Sequence, residues 1–268
     1  MTSMITFISN LPVFALLPLF VLSFVLASLG LPFFIHKQLT WLVFTDSVKY
    51  ADIFSNCLTM IFGFMLAFIT VAAWENHNDL GDTVSKETNT LQNMYRTLEG
   101  YPPEFQEEGK KKLKIYVSEV IEKEWPAMAL DQYDVSAYQK LRGYHNHIIQ
   151  FQPKNNGEIA AHQEELRLFS SYRELRRDRV EGTKPIIDKG MWSVLILSAV
   201  LFMLFLCLFK KSSLFVHALM ITFVATSLSL IYFLLVIYDH PFIGSSPLSP
   251  EPFQKLLDYY WLTPTQGI

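Results

Sequence analysis

Four stretches of the chain carry no Asp, Glu, Lys or Arg: residues 11–35, 53–74, 190–209 and 212–238. Each holds about 20 residues or more, the length a helix needs to cross roughly 30 Å of hydrocarbon. The polar positions gather between the second and third stretches. Glu75–Lys189 holds 20 acidic and 17 basic residues, 37 of the 47 in the chain. The pattern predicts an all-α membrane protein with four transmembrane helices and a helical soluble layer inserted between helices 2 and 3. The expected division is 11–74 for transmembrane helices 1 and 2, 75–189 for the soluble layer, 190–240 for transmembrane helices 3 and 4, and 241–268 for a C-terminal tail.

Within the polar segment the apolar period becomes that of an amphipathic helix. Leu80, Val84, Leu91, Met94 and Leu98 follow alternating steps of four and three once Glu87 is counted among them, which places them on one helix face. No proline separates this face from the second apolar stretch, so that helix is expected to continue through Trp74 into residues 80–98. Pro102 and Pro103 end it. A second soluble helix is expected from about Glu104, with Leu113, Tyr116, Val117, Val120, Ile121 and Trp125 inward. Lys110, Lys111, Lys112 and Lys114 form its solvated face, and Pro126 disturbs its end. A third is expected over roughly 134–151, with Val135, Tyr138, Leu141, Ile148 and Phe151 inward. A fourth runs over roughly 155–181, and the Pro- and Ser-rich tail carries a short helix at 251–261.

Composition agrees with a membrane protein: 51% of residues are hydrophobic, 22 are Phe, and only 18% are charged. The first apolar stretch reads as a retained helix, bent by Pro18 and Pro32, because residues 1–36 lack the Lys or Arg of a signal peptide. Cys57 and Cys207 fall inside spans and read as packing residues rather than a disulfide. A net charge of −3 gives no reason to expect nucleic acid. Only Lys210, Lys211, Ser212 and Ser213 join the last two spans, which predicts a hairpin. Lys37, Lys49, Lys210 and Lys211 compete in orientation with Arg173, Arg176, Arg177, Arg179, Lys184 and Lys189 before the third span. The larger cluster favours a cytoplasmic soluble layer.

Candidate chemistry is sparse. There is no phosphate-binding glycine loop, no Ser-centred elbow and no paired-cysteine site, so an enzyme is not expected. His145 and His147 stand two apart and do not share a helix face, so no metal is expected there. Glu75, Asp79 and Asp82, with His77 nearby, could attract cations at the membrane exit; solvated interfacial carboxylates are the plainer reading. Glu87 occupies an inward position, where a carboxylate is costly unless paired. Arg173, Arg176 and Arg177 are its expected partners in a structural ion pair. Asn56, Met60, Phe64 and Phe68 follow at steps of four beside Gly63, and could line a pore or pack against the other spans. Asp239, at the end of the last span, is expected to make a fixed polar contact. His217, near its other end, is expected to be hydrogen-bonded or interfacial.

Three stretches carry a family likeness: Phe64 to Tyr95 with "SKETNTLQNMYR", "YVSEVIEKEWPAM" at 116–128 and "YDHPFIG" at 238–244. They resemble the bestrophin-like family of prokaryotic membrane proteins, in which a Glu four before a Leu, an E-W-P triplet and a D-x-P-F-x-G recur in this order. The likeness covers about residues 50–245. More distantly, Gly63-Phe64 and Trp74-Glu75-Asn76 are similar to the second membrane helix of bestrophins proper. That resemblance implies a pentameric ion channel of the inner membrane, multi-pass, whose partners are its own copies, the bilayer and small inorganic ions, with no cofactor. It implies a pore neck at Asn56, Met60 and Phe64, with Phe68 on the same stripe, and a cytosolic pore entrance at Glu75 and Asp79. Chloride is the ion the analogy favours, whereas a ring of Glu75 and Asp79 would concentrate cations. Asn56 makes the neck wetter than a fully apolar gate. The acidic calcium-binding loop of animal bestrophins has no match here, which puts calcium gating in doubt. The alternative from another class is a non-conducting scaffold or sensor whose helical layer docks a partner.

Overall fold

The computed structural model describes residues 13–38, 48–130, 132–208, 214–243 and 247–262. These are helical, with no strand among the described residues. The α-helices are α1 (Val13–Gln38), α2 (Val48–Thr97), α3 (Pro103–Glu119), α4 (Trp125–Met128), α5 (Ser136–Ile149), α6 (Asn156–Glu181), α7 (Lys189–Cys207), α8 (Leu214–Asp239) and α9 (Glu251–Lys255). A 3-10 turn at Leu98–Gly100 ends α2, and π-helical turns occupy Val120–Glu124 and Leu256–Leu262. The chain divides into two compact units. One comprises residues 1–77, 185–240 and 244–246, the other residues 78–184, 241–243 and 247–268.

The first unit is apolar. Its core joins Phe62, Leu66 and Ala73 of α2 to Leu195, Ala199 and Phe202 of α7 and Leu228, Tyr232 and Leu235 of α8. Phe62 stacks on Phe202 at 5.3 Å, and the Tyr232 hydroxyl donates to the Leu195 carbonyl at 2.6 Å. Hydroxyls within these helices bond back one turn, as Thr70 does to Leu66 and Thr222 to Ala218, so they cost little in an apolar medium. Among the described residues three helices (α2, α7 and α8) are long and apolar enough to cross a membrane, and α1 adds the apolar stretch Leu16–Leu31. The most apolar windows of those three are only 17%, 22% and 39% buried within the chain. Most of their apolar surface therefore faces outward, the reverse of a water-soluble bundle. The α1 helix continues unbroken through both Pro18 and Pro32. The link Lys210–Ser213 and residues 39–47 lie outside the described residues.

The second unit follows the amphipathic pattern. Leu80, Val84, Glu87, Leu91, Met94 and Leu98 are all buried, and α2 runs unbroken from Val48 to Thr97, past Trp74. Leu113, Tyr116, Val117, Val120 and Trp125 join the same core, with Ile121 partly buried against it. The π-turn just before Pro126 has a local cause. Proline has no N–H to give the carbonyl four residues back, and its ring crowds that carbonyl, so the helix widens there. On α5 the buried residues are Ala137, Leu141, Tyr144 and Ile148, whereas Val135 and Tyr138 are exposed. The inward assignment of those two is thus corrected: Val135 precedes the helix, and Tyr138 falls outside the 137-141-144-148 stripe. Gly100 permits a close approach of α6, since a Cβ there would meet the Ala161 Cβ at 2.6 Å. The tail packs into this unit through Phe242, Phe253, Leu256 and Trp261. Trp261 stacks on Tyr95 at 4.7 Å and donates to the Gln92 side chain at 2.8 Å.

Candidate functional site

Helix α2 presents two different faces in the apolar unit. At 100° per residue, Phe62, Leu66, Ile69 and Ala73 share the face that packs inward. Asn56, Met60, Phe64 and Phe68 lie across the helix from it, and all four are exposed, Met60 by 63%, Phe64 by 59% and Phe68 by 75%. The option that this stripe packs against the other spans of its own chain is therefore not what the structure contains. Gly63 lies beside the stripe with nothing within 4 Å of a built Cβ. Trp74 and Glu75 are exposed on the next turn. His77 is half-buried, its ring 5.3 Å from that of Tyr238. In the second unit Asp79 and Asp82 are exposed, and among the described residues no group of three His, Cys, Asp or Glu side chains is gathered for a metal.

The last turn of α8 carries the other anchor of the apolar unit. Asp239 is buried. Its carboxylate accepts the Ile187 amide at 2.7 Å and the Trp192 indole N–H at 2.9 Å, and its carbonyl accepts the Ile186 amide at 3.3 Å. One aspartate thus ties the end of α8 to the segment that opens α7. Asp188 then caps that helix by accepting the Met191 amide.

The second unit is built around a buried charge cluster. Arg179 donates to Glu87 at 2.6 Å and to Glu124 at 2.6 Å, and Arg176 donates to the other oxygen of Glu124. Tyr172 donates to Glu87 at 3.0 Å and meets the Tyr116 hydroxyl. The Arg179 guanidinium lies 5.3 Å from the Trp125 ring centroid and 5.5 Å from that of Phe253. Trp125 packs edge-on against Phe242 at 5.5 Å and donates to the Leu248 carbonyl. Burial works against the charge of Arg179, but Glu87 and Glu124 outweigh it and hold its pKa well above the ordinary value. Burial, then the neighbouring Glu87, raises Tyr172 likewise, so both tyrosines stay neutral donors.

This cluster corrects the pairing expected for Glu87. The partner is Arg179, which the sequence marks only as one of the basic residues before the third span. Arg176 belongs to the cluster through Glu124, while Arg173 and Arg177 are exposed, Arg177 lying 3.8 Å from Asp178. The reason is helical geometry. Glu165, Leu168, Phe169, Tyr172, Arg176 and Arg179 follow at three- and four-residue steps and form the buried stripe of α6. Arg173 and Arg177 lie off it. Glu124 and Glu165 were also missed. Glu165 is fully buried, receives the Tyr144 hydroxyl at 2.5 Å, and has no partner for Oε2 among the described residues. Burial pushes its carboxyl up to about 8. His145 stacks on Phe169 and His147 on Phe105, so both histidines are packing residues here.

A family model described as Bestrophin-like domain matches residues 13–253. No curated protein and no solved structure matches the chain.

Proposed function

The chain belongs to the bestrophin-like family, and on that footing we propose that it is an oligomeric ion channel of the bacterial inner membrane. Four helices cross the bilayer: α1, the first part of α2, α7 and α8. The polar residues 75–189 form a soluble layer in the cytoplasm. Copies of the chain, five by family analogy, surround an axis onto which α2 turns Asn56, Met60, Phe64 and Phe68. Glu75 and Asp79 stand at the cytosolic entrance, and chloride is the ion that family analogy favours.

The observation that supports this reading is the open face of α2. Large apolar side chains exposed by more than half need a cover, which a membrane helix finds in lipid or in another copy. A stripe that begins with a polar Asn56 and leads to Glu75 is better suited to an axis that admits hydrated ions than to lipid tails. The exposed Glu75 and Asp79 favour a second reading, cation conduction by the same architecture.

Reconstitution in liposomes tests both. Chloride and potassium flux are measured with the natural chain, with Phe64→Ala and with Asn56→Leu. The proposal expects flux that both substitutions change, and the permeant ion separates the two readings. A monomeric protein that passes neither ion overturns it.

A further inference from the structure

We infer that the second unit carries a binding site for a small organic anion, a carboxylate or phosphate on a flat body, in the cleft between the C-terminal half of α6 and the segment leading into α5. The cleft measures about 690 Å³, within the range of small-molecule sites. One wall is a single face of α6 continued to Lys184: Ser170, Arg173, Arg177 and Val180 follow at three- and four-residue steps. Arg176 borders that face. The opposite wall is aromatic and apolar, with Tyr133, Tyr138 and Leu141.

Three observations point to a ligand rather than to an ordinary solvated groove. Arg176 lines the cleft and is only 7% exposed, yet its Nε has no acceptor among the described residues. A buried guanidinium N–H without a partner is uncommon, because it forfeits the hydrogen bond it had in water. Tyr133 and Tyr138 expose their rings at this wall although the core lies close by, and Arg176 sits 5.7 Å from the Tyr138 ring centroid. An aromatic wall beside a guanidinium suits a planar body with an anionic group. Finally, the described lining carries Arg173, Arg177 and Lys184 beside Glu174 and Glu181, while the charge of Arg176 is already met by Glu124. Arg173 and Lys184 make no ion pair among the described residues, which leaves their charges available to an oxyanion.

The test uses the full chain in detergent and measures binding by calorimetry, independently of any ion flux. The probes are phenyl phosphate, inorganic phosphate and phenol. The site expects saturable binding of phenyl phosphate, tighter than that of either fragment. It expects affinity to fall at least tenfold in Arg173→Ala and in Arg177→Ala, which are exposed and leave the buried cluster intact. Arg142→Ala, on an exposed position of α5 outside the cleft, should bind as the natural chain does. Absence of saturable binding, or an affinity in Arg173→Ala and Arg177→Ala that matches that of the natural chain, overturns the site. Because no flux is measured, either outcome leaves the channel reading to its own experiment.

Discussion

Arg179 and Glu87 stand 92 positions apart in sequence and 2.6 Å apart in space, with both side chains fully buried. Removing one member of a buried pair leaves an uncompensated charge, which costs about 3–5 kcal/mol. Arg179→Met strands both Glu87 and Glu124, whereas Glu87→Gln keeps an acceptor for Arg179 and Tyr172. Denaturant unfolding followed by tryptophan fluorescence should therefore rank Arg179→Met as the more damaging. Equal midpoints for Arg179→Met and the natural chain would show that the cluster contributes nothing to stability.

Glu165 gives the fold a pH dependence of known sign. Its carboxyl titrates at about 8 in the folded chain against 4.5 for the free side chain. Below about 4.5 both states hold the proton, and the group is neutral in effect. Between about 4.5 and 8 the folded state binds the extra proton, so stability falls as pH rises, and the loss is complete above 8. Glu165→Gln removes this slope while keeping an acceptor for Tyr144. Thermal unfolding of the two proteins should give similar midpoints near pH 4 and a higher one for the variant near pH 9. Parallel pH profiles would mean that Glu165 is ionised in the folded state.

Asp239→Ala deprives the Ile187 amide and the Trp192 indole of their acceptor at once. A buried donor left without a partner costs about 1–3 kcal/mol. Asp239→Asn keeps one acceptor oxygen and should lose less than Asp239→Ala, while Trp192→Phe leaves the Ile187 bond in place. Unfolding midpoints in detergent should follow that order, with Asp239→Ala lowest.

Phe62 and Phe64 are two positions apart on α2 and face opposite ways. Phe62 is buried against Phe202, so Phe62→Ala opens a cavity worth about 3 kcal/mol or more. Phe64→Ala removes an exposed ring and should leave the unfolding midpoint of the single chain near its starting value while changing ion flux. A large stability loss from Phe64→Ala together with unchanged flux would place that ring in a structural contact instead.

The helices were legible because burial and period agree along them. The 80–98 stripe includes its one charged member, Glu87, and α6 begins and ends within a residue or so of its expected bounds. The charge cluster was less legible for a definite reason. Arg176 and Arg179 sit in a run of alternating charges, "RELRRDR", that looks solvated throughout, and only the position of Tyr172 and Phe169 in the same register marks which two arginines turn inward. Glu124 had a signal in its neighbour Trp125, whose ring packs against the Arg179 guanidinium. Tyr138 has the residue type of a core position near a helix start, but the stripe of α5 runs one position earlier. The outward face of α2 was legible as a stripe, but nothing in one chain's spacing says what lies opposite an exposed residue.

The balance of two acids and two bases in the cluster limits how this protein can drift. Any single substitution of Glu87, Glu124, Arg176 or Arg179 by a neutral side chain leaves an odd charge in the dry interior. Only changes in pairs, one acid with one base, or replacement of all four by apolar side chains of similar volume, keep the interior neutral. The three sequence stretches that carry Glu87, Glu124 and the two arginines are thus tied together by charge parity: none can lose its charge at these sites without an answering change in another.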